Sequence, residues 1–419
     1  MNLPNESRLI TNVSCPFCGL ACDDLNIRVS GNSLGVEANS CERATRLFAA
    51  NSGAPGTNGS IKNLAAPFAQ CAASAASLLR RASQPLISGL AADVGGIRAA
   101  LRMADRIGAI VDHMNATALS RNLLVLQDSG WIVSTFAEVR SRADFVLIVG
   151  TETNSRFPRF AERLIDPLDS PFSDGPMQRS VVYLGPKPKA PADARVLDCP
   201  TSGLGEVFGA LRCLIANRPL QAVQVAGLDM EVLRSLAGEM RRARYGVVAW
   251  AAADLDLPHG ELVVQSICGL ISDLNETTRF AGLPLGGNDA DITANQVTLW
   301  QTGLPLRTGF GRGVPEYDAY HFGTDRLLAS KNADVLLWVS AFDPLRLPPE
   351  TDVPTIVLGS PAMRFTKPPA VFIPVATPGL HHAGHFFRSD GVMAVRLRKL
   401  TDSPLPSVAD VLTAIEQAI

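Results

Sequence analysis

The chain has 419 residues, which is long enough for roughly two to four domains. Its 38 Lys and Arg residues nearly balance 40 Asp and Glu residues, and the net charge of -2 argues against a protein that binds nucleic acid. Hydrophobic residues make up 47% of the chain and charged residues only 19%, so we expect a large core and some surface covered by partner proteins.

Features of secreted or membrane-bound proteins are not expected in this chain. Residues 1–6 lack a basic region followed by an apolar run, which argues against a secretory signal. No apolar stretch reaches the roughly 18 residues that cross a bilayer. Eight cysteines, four of them clustered, indicate metal chemistry in a reducing compartment rather than a disulfide framework. The sequence therefore predicts a cytoplasmic protein.

Four cysteines near the N-terminus form the pattern C-x2-C-x3-C-x18-C: Cys15, Cys18, Cys22 and Cys41. The first three thiols can face one point only if the chain wraps tightly, which the small residues Gly19 and Ala21 would allow. The fourth must return across a short hairpin. This pattern suits a four-thiolate site for an iron–sulfur cluster or zinc. The alternative is that the thiols are small buried side chains that hold no metal.

The predicted elements that follow alternate between helix and strand. Residues 25–29 and 34–37 are predicted to form a hairpin around Gly31-Asn32, and residues 51–62 a loop. Helices are predicted at 67–83 and 94–107. Strands are predicted at 85–90, 109–112, 143–150, 181–185, 195–197, 245–250, 333–339 and 353–359. Continuous apolar strands between helices indicate parallel sheets that are covered on both faces.

Ligands of parallel sheets bind beyond the carboxyl ends of the strands, which makes four loops candidates for a binding site: 150–158, 185–188, 340–344 and 359–361. No G-x-G-x-x-G opens a helix and no Walker A pattern is present, so ordinary turns are the alternative. The glycine-rich segment 303–320 is predicted to be an extended loop that forms a cavity wall or a partner contact.

The cysteine block resembles the start of the B subunit of formylmethanofuran dehydrogenase, which belongs to the molybdopterin oxidoreductase superfamily. Later segments resemble the same family in the same order: Leu124–Gly130, Asp144–Gly150, Arg156–Arg159, Ser340–Pro344, Ala370–Pro374 and Gly384–Gly391. The resemblance implies an α/β, molybdopterin-oxidoreductase-like fold. Its expected parts are a Cys-rich domain at 1–60, an α/β domain at 61–140 with 325–419, and an inserted α/β domain at 141–324. The family's C-terminal β-barrel domain is expected on a separate polypeptide.

Departures from the family pattern affect the catalytic positions. In the active dehydrogenases a cysteine or selenocysteine ligates molybdenum or tungsten, and a histidine follows it. Counting back from Gln127 places Ala118 at the ligand position and Leu119 at the histidine position. A methyl group cannot ligate a metal, and leucine cannot move a proton. Glu152 puts a negative charge where a pterin phosphate would lie, so no molybdopterin is expected.

These departures resemble the B subunit of the formyltransferase/hydrolase complex of aerobic methylotrophs. The resemblance implies a non-catalytic structural subunit of a complex that moves a formyl group from formyl-tetrahydromethanopterin to a methanofuran analogue and releases formate. The expected partners are a formyltransferase subunit, an amidohydrolase-type subunit and a further β-rich subunit, with no nucleic acid and no membrane. The alternatives are an active molybdenum or tungsten formylmethanofuran dehydrogenase subunit, and a standalone metal-binding protein.

The content of the cysteine site is a separate question. The family's spacing favours a [4Fe–4S] cluster on the four cysteines, and zinc or no metal are the alternatives. Without a redox centre the cluster would not be needed for electron transfer. A metal bound for structural reasons would still hold the first sixty residues together, because folding and metal binding are coupled in such sites.

Overall fold

The computed structural model describes residues 7–53, 56–150, 153–166, 170–172, 175, 177–186 and 194–419. The chain divides into two compact units, the first formed by Met1–Thr117 with Gly287–Ile419 and the second by Ala118–Gly286. The first unit therefore includes the N-terminal cysteines, and the second unit begins and ends earlier in the chain than the expected inserted domain at 141–324. In the described part of the chain, no helix combines the length and hydropathy needed to cross a membrane.

The secondary structure of the described residues is numbered in chain order. The strands are β1 Arg8–Val13, β2 Leu25–Ser30, β3 Ser33–Ala38, β4 Gly59–Ile61, β5 Leu64–Ala66, β6 Pro85–Ala91, β7 Ile110–Val111, β8 Phe145–Val149, β9 Ser180–Gly185, β10 Arg195–Asp198, β11 Gln224–Val225, β12 Leu228–Asp229, β13 Gly246–Ala251, β14 Phe280–Leu285, β15 Thr308–Gly309, β16 Glu316–Tyr317, β17 Val335–Ser340, β18 Thr355–Gly359, β19 Val371–Pro374, β20 Gly384–Phe387 and β21 Ala394–Leu397. The helices are α1 Glu42–Ala50, α2 Phe68–Arg81, α3 Val94–Ile107, α4 Ala116–Ser129, α5 Phe136–Arg142, α6 Thr153–Arg156, α7 Leu204–Ile215, α8 Met230–Arg242, α9 Gly260–Leu274, α10 Asp291–Thr302, α11 Thr324–Ala329 and α12 Val408–Ala418.

The first unit is built on a sheet with the strand order β16-β15-β7-β6-β17-β18-β19-β4-β5. The strands β7, β6, β17, β18 and β19 run parallel, and the first four of them were predicted from their apolar runs, whereas β19 was not. Antiparallel pairs extend the sheet at both edges, where β15 joins β7 and β4 joins β19. Because β15 and β16 belong to this sheet, residues 308–317 lie in the first unit, and not in the inserted domain where the sequence placed them.

Local capping defines the helix that follows β6. The Asp93 side chain accepts a hydrogen bond from the Gly96 backbone at 3.1 Å, which satisfies a free N–H of the first turn of α3. The helix ends at Gly108, whose φ of 68° lies in the left-handed region that glycine adopts readily. These two signals explain why the predicted helix at 94–107 is confirmed. The chain turns at Gly108 and enters β7, which runs parallel to β6.

The N-terminal segment forms a three-stranded antiparallel sheet of β1, β2 and β3. The predicted hairpin corresponds to β2 and β3, whereas β1 was not predicted, because most of its side chains are exposed and it shows no apolar alternation. Asn51, at the end of α1, is buried and donates to the carbonyl oxygens of Leu47 and Phe342. Its own amide oxygen accepts hydrogen bonds from Ser360 and Thr377, so this segment is tied to the large sheet.

The second unit contains a parallel sheet with the order β10-β9-β8-β13-β14. Strands β8 and β13 are buried along their whole length, which explains why their sequences are continuously apolar. Beside this sheet, the Arg179 guanidinium donates to five backbone carbonyls near the ends of α5 and of the π-helical turn Ala161–Ile165. The accepting residues are Ala143, Val139, Arg140, Leu164 and Ile165.

Candidate functional site

The cysteine loop wraps tightly, as its spacing predicts. The backbone N–H of Cys15 donates to the carbonyl of Cys22 at 2.7 Å, and that of Ala21 donates to the carbonyl of Cys18 at 3.1 Å. Ala21 itself has a φ of 50°, an unusual conformation for a residue with a Cβ. These two hydrogen bonds close a loop of eight residues, and the side chains of the first three cysteines are buried.

The fourth cysteine starts helix α1. Cys41 is the N-cap residue, and its Sγ accepts a hydrogen bond from the Ala44 backbone at 3.5 Å. Burial first, and then repulsion from the negative charges that Cys18, Cys22 and Cys41 carry as thiolates, raise the pKa of Cys15 well above its ordinary value. The four thiols are therefore near enough to influence one another electrostatically, and Cys41 belongs with the other three.

The four cysteines lie near one another, but they are not arranged as the ligands of a metal ion. Among the residues that the structure describes, no group of three or more His, Cys, Asp or Glu side chains is arranged to hold a metal ion. A bound metal would need the thiols as thiolates, and burial without a cation works against that form. The donor set thus fits a four-thiolate metal in its chemistry, whereas the spacing of a ligand shell is not present in this structure.

The two positions that the family resemblance assigns to the dehydrogenase catalytic residues lie in the first turn of α4. Ala118 is partly exposed, and the Leu119 side chain is buried as part of the apolar core. Neither side chain offers an atom that can ligate a metal or carry a proton. The third departure, at Glu152, lies outside the described residues.

A cavity of about 910 Å³ lies within the first unit, at the carboxyl ends of β7 and β17. This is where ligands of parallel sheets bind. The segment 303–320 forms part of its wall through Arg307 and Tyr320, which confirms that part of the prediction. The polar and aromatic lining includes Asp112, His113, Arg307, Tyr320, Trp338 and Arg346.

One wall of this cavity carries a buried ion pair. Asp112 Oδ1 lies 3.5 Å from Arg307 Nε, and Thr324 donates to Asp112 Oδ2 through both its backbone N–H and its hydroxyl at 2.7 Å. Burial raises the pKa of Asp112, and the Arg307 guanidinium opposes that rise. Arg307 Nη2 also donates to Thr117 at 2.8 Å. Asp112 Oδ1 and Arg307 Nε are nevertheless buried without a hydrogen-bond partner, so these two atoms are paired by charge and not by a hydrogen bond.

A second polar group adjoins the cavity at His113, which sequence reasoning did not identify. Its Nδ1 accepts a hydrogen bond from the Asn115 backbone at 2.9 Å, so the proton lies on Nε2, which donates to the Asp289 carbonyl at 3.0 Å. Burial lowers the pKa of His113 to about 3, which keeps the ring neutral. A histidine directly after the predicted strand 109–112 was the available signal, because strand ends carry binding residues.

A buried carboxyl lies nearby, at the start of α10. Asp291 Oδ1 accepts a hydrogen bond from the Gly287 backbone at 2.6 Å. Burial raises the pKa of Asp291 to about 7, and the neighbouring Asp289 adds to the rise. Asp289 itself pairs with Arg346 at 2.9 Å. The segment 287–291 therefore gathers two carboxyls, a neutral histidine and an arginine beside the cavity.

In the second unit, the loop after β8 contains an arginine that is already paired. Arg156 Nε lies 2.5 Å from Asp254 Oδ1, and the side chain of Asp254 is almost fully buried. Gly150 opens the turn with a φ of 82°. An arginine held by a carboxylate has less positive charge to offer to a phosphate, so this predicted binding loop is poorly suited to an anion.

Sequence comparison places the chain among known proteins. No protein-family model matches it. The B subunit of the formyltransferase/hydrolase complex Fhc of Methylorubrum extorquens is 31% identical over 284 residues, which cover 67% of this chain and 74% of that protein. The chain belongs to the Fhc B-subunit family. This confirms the resemblance that was drawn from the cysteine block and the later segments.

Other relatives link the Fhc B-subunit family to dehydrogenases. The B subunit of the tungsten-containing formylmethanofuran dehydrogenase 2 is 26% identical over 416 residues in Methanocaldococcus jannaschii and in Methanococcus maripaludis, and the match covers 95% of each chain in both cases. A chain from the crystal structure of the M. extorquens complex FhcABCD with methylofuran superposes with a TM-score of 0.74. That chain is 28% identical, and the match covers 86% of this chain and 98% of that one. The α/β fold with parallel sheets is thus shared with this family.

Proposed function

We propose that this member of the Fhc B-subunit family is a non-catalytic structural subunit of a formyltransferase/hydrolase complex. The observation that carries the proposal is the pair Ala118 and Leu119 in α4, which the family resemblance assigns to the metal-ligating cysteine and the histidine of the active dehydrogenases. An alkyl side chain supplies neither a metal ligand nor a general acid or base. The 31% sequence identity to the B subunit of such a complex supports the same conclusion.

The proposed complex transfers a formyl group from formyl-tetrahydromethanopterin to a methanofuran analogue and hydrolyses the product to formate. Its other subunits carry this chemistry, and we propose that they are a formyltransferase subunit, an amidohydrolase-type subunit and a further β-rich subunit. The related complex FhcABCD is itself hetero-oligomeric, which supports a multi-subunit arrangement. We place the complex in the cytoplasm.

No molybdopterin is part of this proposal. Two features of the second unit support that view: Arg156 is neutralised by Asp254, and the loss of the ligand position removes the protein's bond to the metal. The competing function is an active tungsten or molybdenum dehydrogenase subunit, which the 95% coverage of the tungsten-containing relatives favours. The two functions differ in redox activity and metal content.

The deciding experiment is to purify the complex through a tag on this chain and to measure formate-dependent dye reduction and the content of molybdenum and tungsten. We expect no dye reduction above the background, no molybdenum or tungsten, and a formyltransferase and an amidohydrolase in the same sample. The related complex from M. extorquens serves as the control. Dye reduction, or about one molybdenum or tungsten per chain, would show that the chain is a dehydrogenase subunit.

We further propose that Cys15, Cys18, Cys22 and Cys41 hold a structural metal, as a [4Fe–4S] cluster or, failing that, zinc. The tight hydrogen-bonded loop and the mutual influence of the thiols support the proposal. We expect the Cys22→Ser variant to lose most of its iron or zinc and to expose the first sixty residues to proteolysis, because such metals stabilise the fold around them.

The matched control for this prediction is Cys213→Ser, which changes a cysteine of α7 in the other unit. Iron and zinc are measured in both variants and in the wild type, and corrected for metal on the partner subunits. An unchanged metal content in Cys22→Ser would show that these cysteines are not the ligands of a metal.

A further inference from the structure

The segment Gly287–Asp291 has an unusual backbone. Gly287, Asp289 and Ala290 have φ values of 85°, 53° and 62°. Positive φ suits glycine but crowds the Cβ of other residues against the backbone. Two successive non-glycine residues in this region persist only when their surroundings hold them there. The contacts at both ends of the segment show what holds it.

On one side, the segment is fixed by residues of the cavity wall. His113 donates to the Asp289 carbonyl at 3.0 Å, and Arg346 pairs with the Asp289 carboxylate at 2.9 Å. Asn115 donates to the Asn288 carbonyl at 3.0 Å and to Asp289 Oδ2 at 3.2 Å. Because both His113 and Arg346 line the 910 Å³ cavity, a shift of this segment would change the shape and polarity of the wall.

On its other side, the segment touches the cysteine motif. A Cβ added to Gly287 would lie 2.6 Å from the Cα of Gly19, which sits between Cys18 and Cys22. Arg43, two residues after Cys41, donates to Asn288 Oδ1 at 3.0 Å. Both halves of the motif, the loop and the start of α1, therefore rest on the same few residues.

We propose that the segment Gly287–Asp291 positions the cysteine loop and couples it to the cavity wall. Because the strained backbone is held by contacts from both sides, the loss of one set of contacts releases it and disturbs the other. Metal bound by the cysteines then keeps His113 and Arg346 in place, and loss of the metal loosens the cavity wall. The coupling to metal rests on the proposed metal site, whereas the positioning of the thiols does not.

The test compares two glycine substitutions in the purified complex. In Gly287→Ala the new methyl group meets the Gly19 backbone, whereas in the control Gly303→Ala it meets nothing within 4 Å. Both glycines have positive φ, 85° and 75°, so the two variants share the same kind of backbone strain. Only Gly287→Ala should therefore disturb the cysteine motif.

Two measurements report separately on the release of metal and on the state of the cavity wall. We expect Gly287→Ala to release iron or zinc to a chelator at least about fivefold faster than Gly303→Ala, a rise of the size typical of coupled sites. The second readout is Trp338, which lines the cavity and donates to the Arg346 carbonyl at 3.0 Å. Its fluorescence, taken as the difference from a Trp338→Phe variant, should change when metal is removed from the wild type.

The outcomes separate the coupling from the metal itself. If the two variants release metal at equal rates and Trp338 does not respond to metal removal, the proposal is overturned. If the wild type holds no metal, the rate of alkylation of Cys18 and Cys22 in the native complex takes the place of metal release. Faster alkylation in Gly287→Ala than in Gly303→Ala then supports the positioning role, and equal rates overturn it.

Discussion

Replacing Asp291 by Asn is expected to change how the stability of the protein depends on pH. Burial raises the pKa of this carboxyl from 3.8 to about 7, so the folded state holds a proton that the unfolded chain releases. A raised pKa stabilises the fold fully below pH 4, and that stabilisation is lost as the pH rises through 7. The shift corresponds to a change on the order of 2–4 kcal/mol in the free energy of unfolding.

His113 acts in the opposite direction over the same range. Burial lowers its pKa from 6.5 to about 3, so the unfolded chain takes up a proton that the folded chain does not. Its contribution is present above pH 6.5 and is lost as the pH falls toward 3. Between pH 4 and 6.5 the slopes of Asp291 and His113 oppose each other, and the wild type should show only a shallow dependence from this cluster.

Each variant should show the pH dependence of the free energy of unfolding that comes from the other residue. In Asp291→Asn the amide oxygen can still accept from Gly287, but the titrating proton is gone, so the free energy of unfolding should fall by a few kcal/mol between pH 7 and pH 4. In His113→Asn it should rise over the same interval. The other charged groups of the cluster, Asp289, Arg346 and Arg43, are present in both variants.

Urea-induced unfolding of the complex at several pH values measures these slopes, and differences between variants cancel what the partner subunits contribute. Asp105→Asn, which changes an exposed aspartate of α3, is the matched control. The interpretation fails if Asp291→Asn follows the wild type in parallel at every pH. It also fails if the two cluster variants change slope in the same direction.

Substitution of Arg179 should destabilise the second unit by about 3–5 kcal/mol. Its guanidinium satisfies carbonyl oxygens at the ends of α5 and of the turn Ala161–Ile165, and most of these residues are buried. Arg179→Met keeps much of the side-chain volume but leaves the carbonyls without a donor, and each unsatisfied group weakens the fold by about 1–3 kcal/mol, with partial relief from water. Arg179→Lys should recover part of the loss, since one ammonium cannot span so many acceptors.

Hydrogen exchange of the amides in residues 139–143 and 161–166 reports this loss locally, and urea unfolding reports it overall. The control is Arg234→Met on α8, where an exposed arginine pairs with Glu231 at 3.4 Å. Exposed pairs of this kind contribute about 0–1 kcal/mol. Equal destabilisation by the two substitutions would contradict the role assigned to Arg179.

The sequence by itself determined the family and the α/β class, and through the family resemblance it assigned the altered catalytic positions to Ala118 and Leu119. Each depends on a local pattern: the spacing of four cysteines, apolar runs such as Phe145–Val149 that are long enough for a buried strand, and the distance from Gln127 back to Ala118. Such patterns can be read without knowing which distant segments meet. For the same reason they predicted most of the parallel strands, but not β14, β19, the exposed strand β1 or the antiparallel edges.

Only the tertiary structure decided which residues lie beside the cysteines and the cavity. His113 meets Asp289 across 176 positions of sequence, and Arg346 meets Asn115 across 231. These contacts arise because β7 and β17 end at the same edge of the sheet and the chain returns from the second unit at Gly287. A residue's own pattern cannot report burial by a segment so far away, and it is burial that sets the protonation of His113 and Asp291.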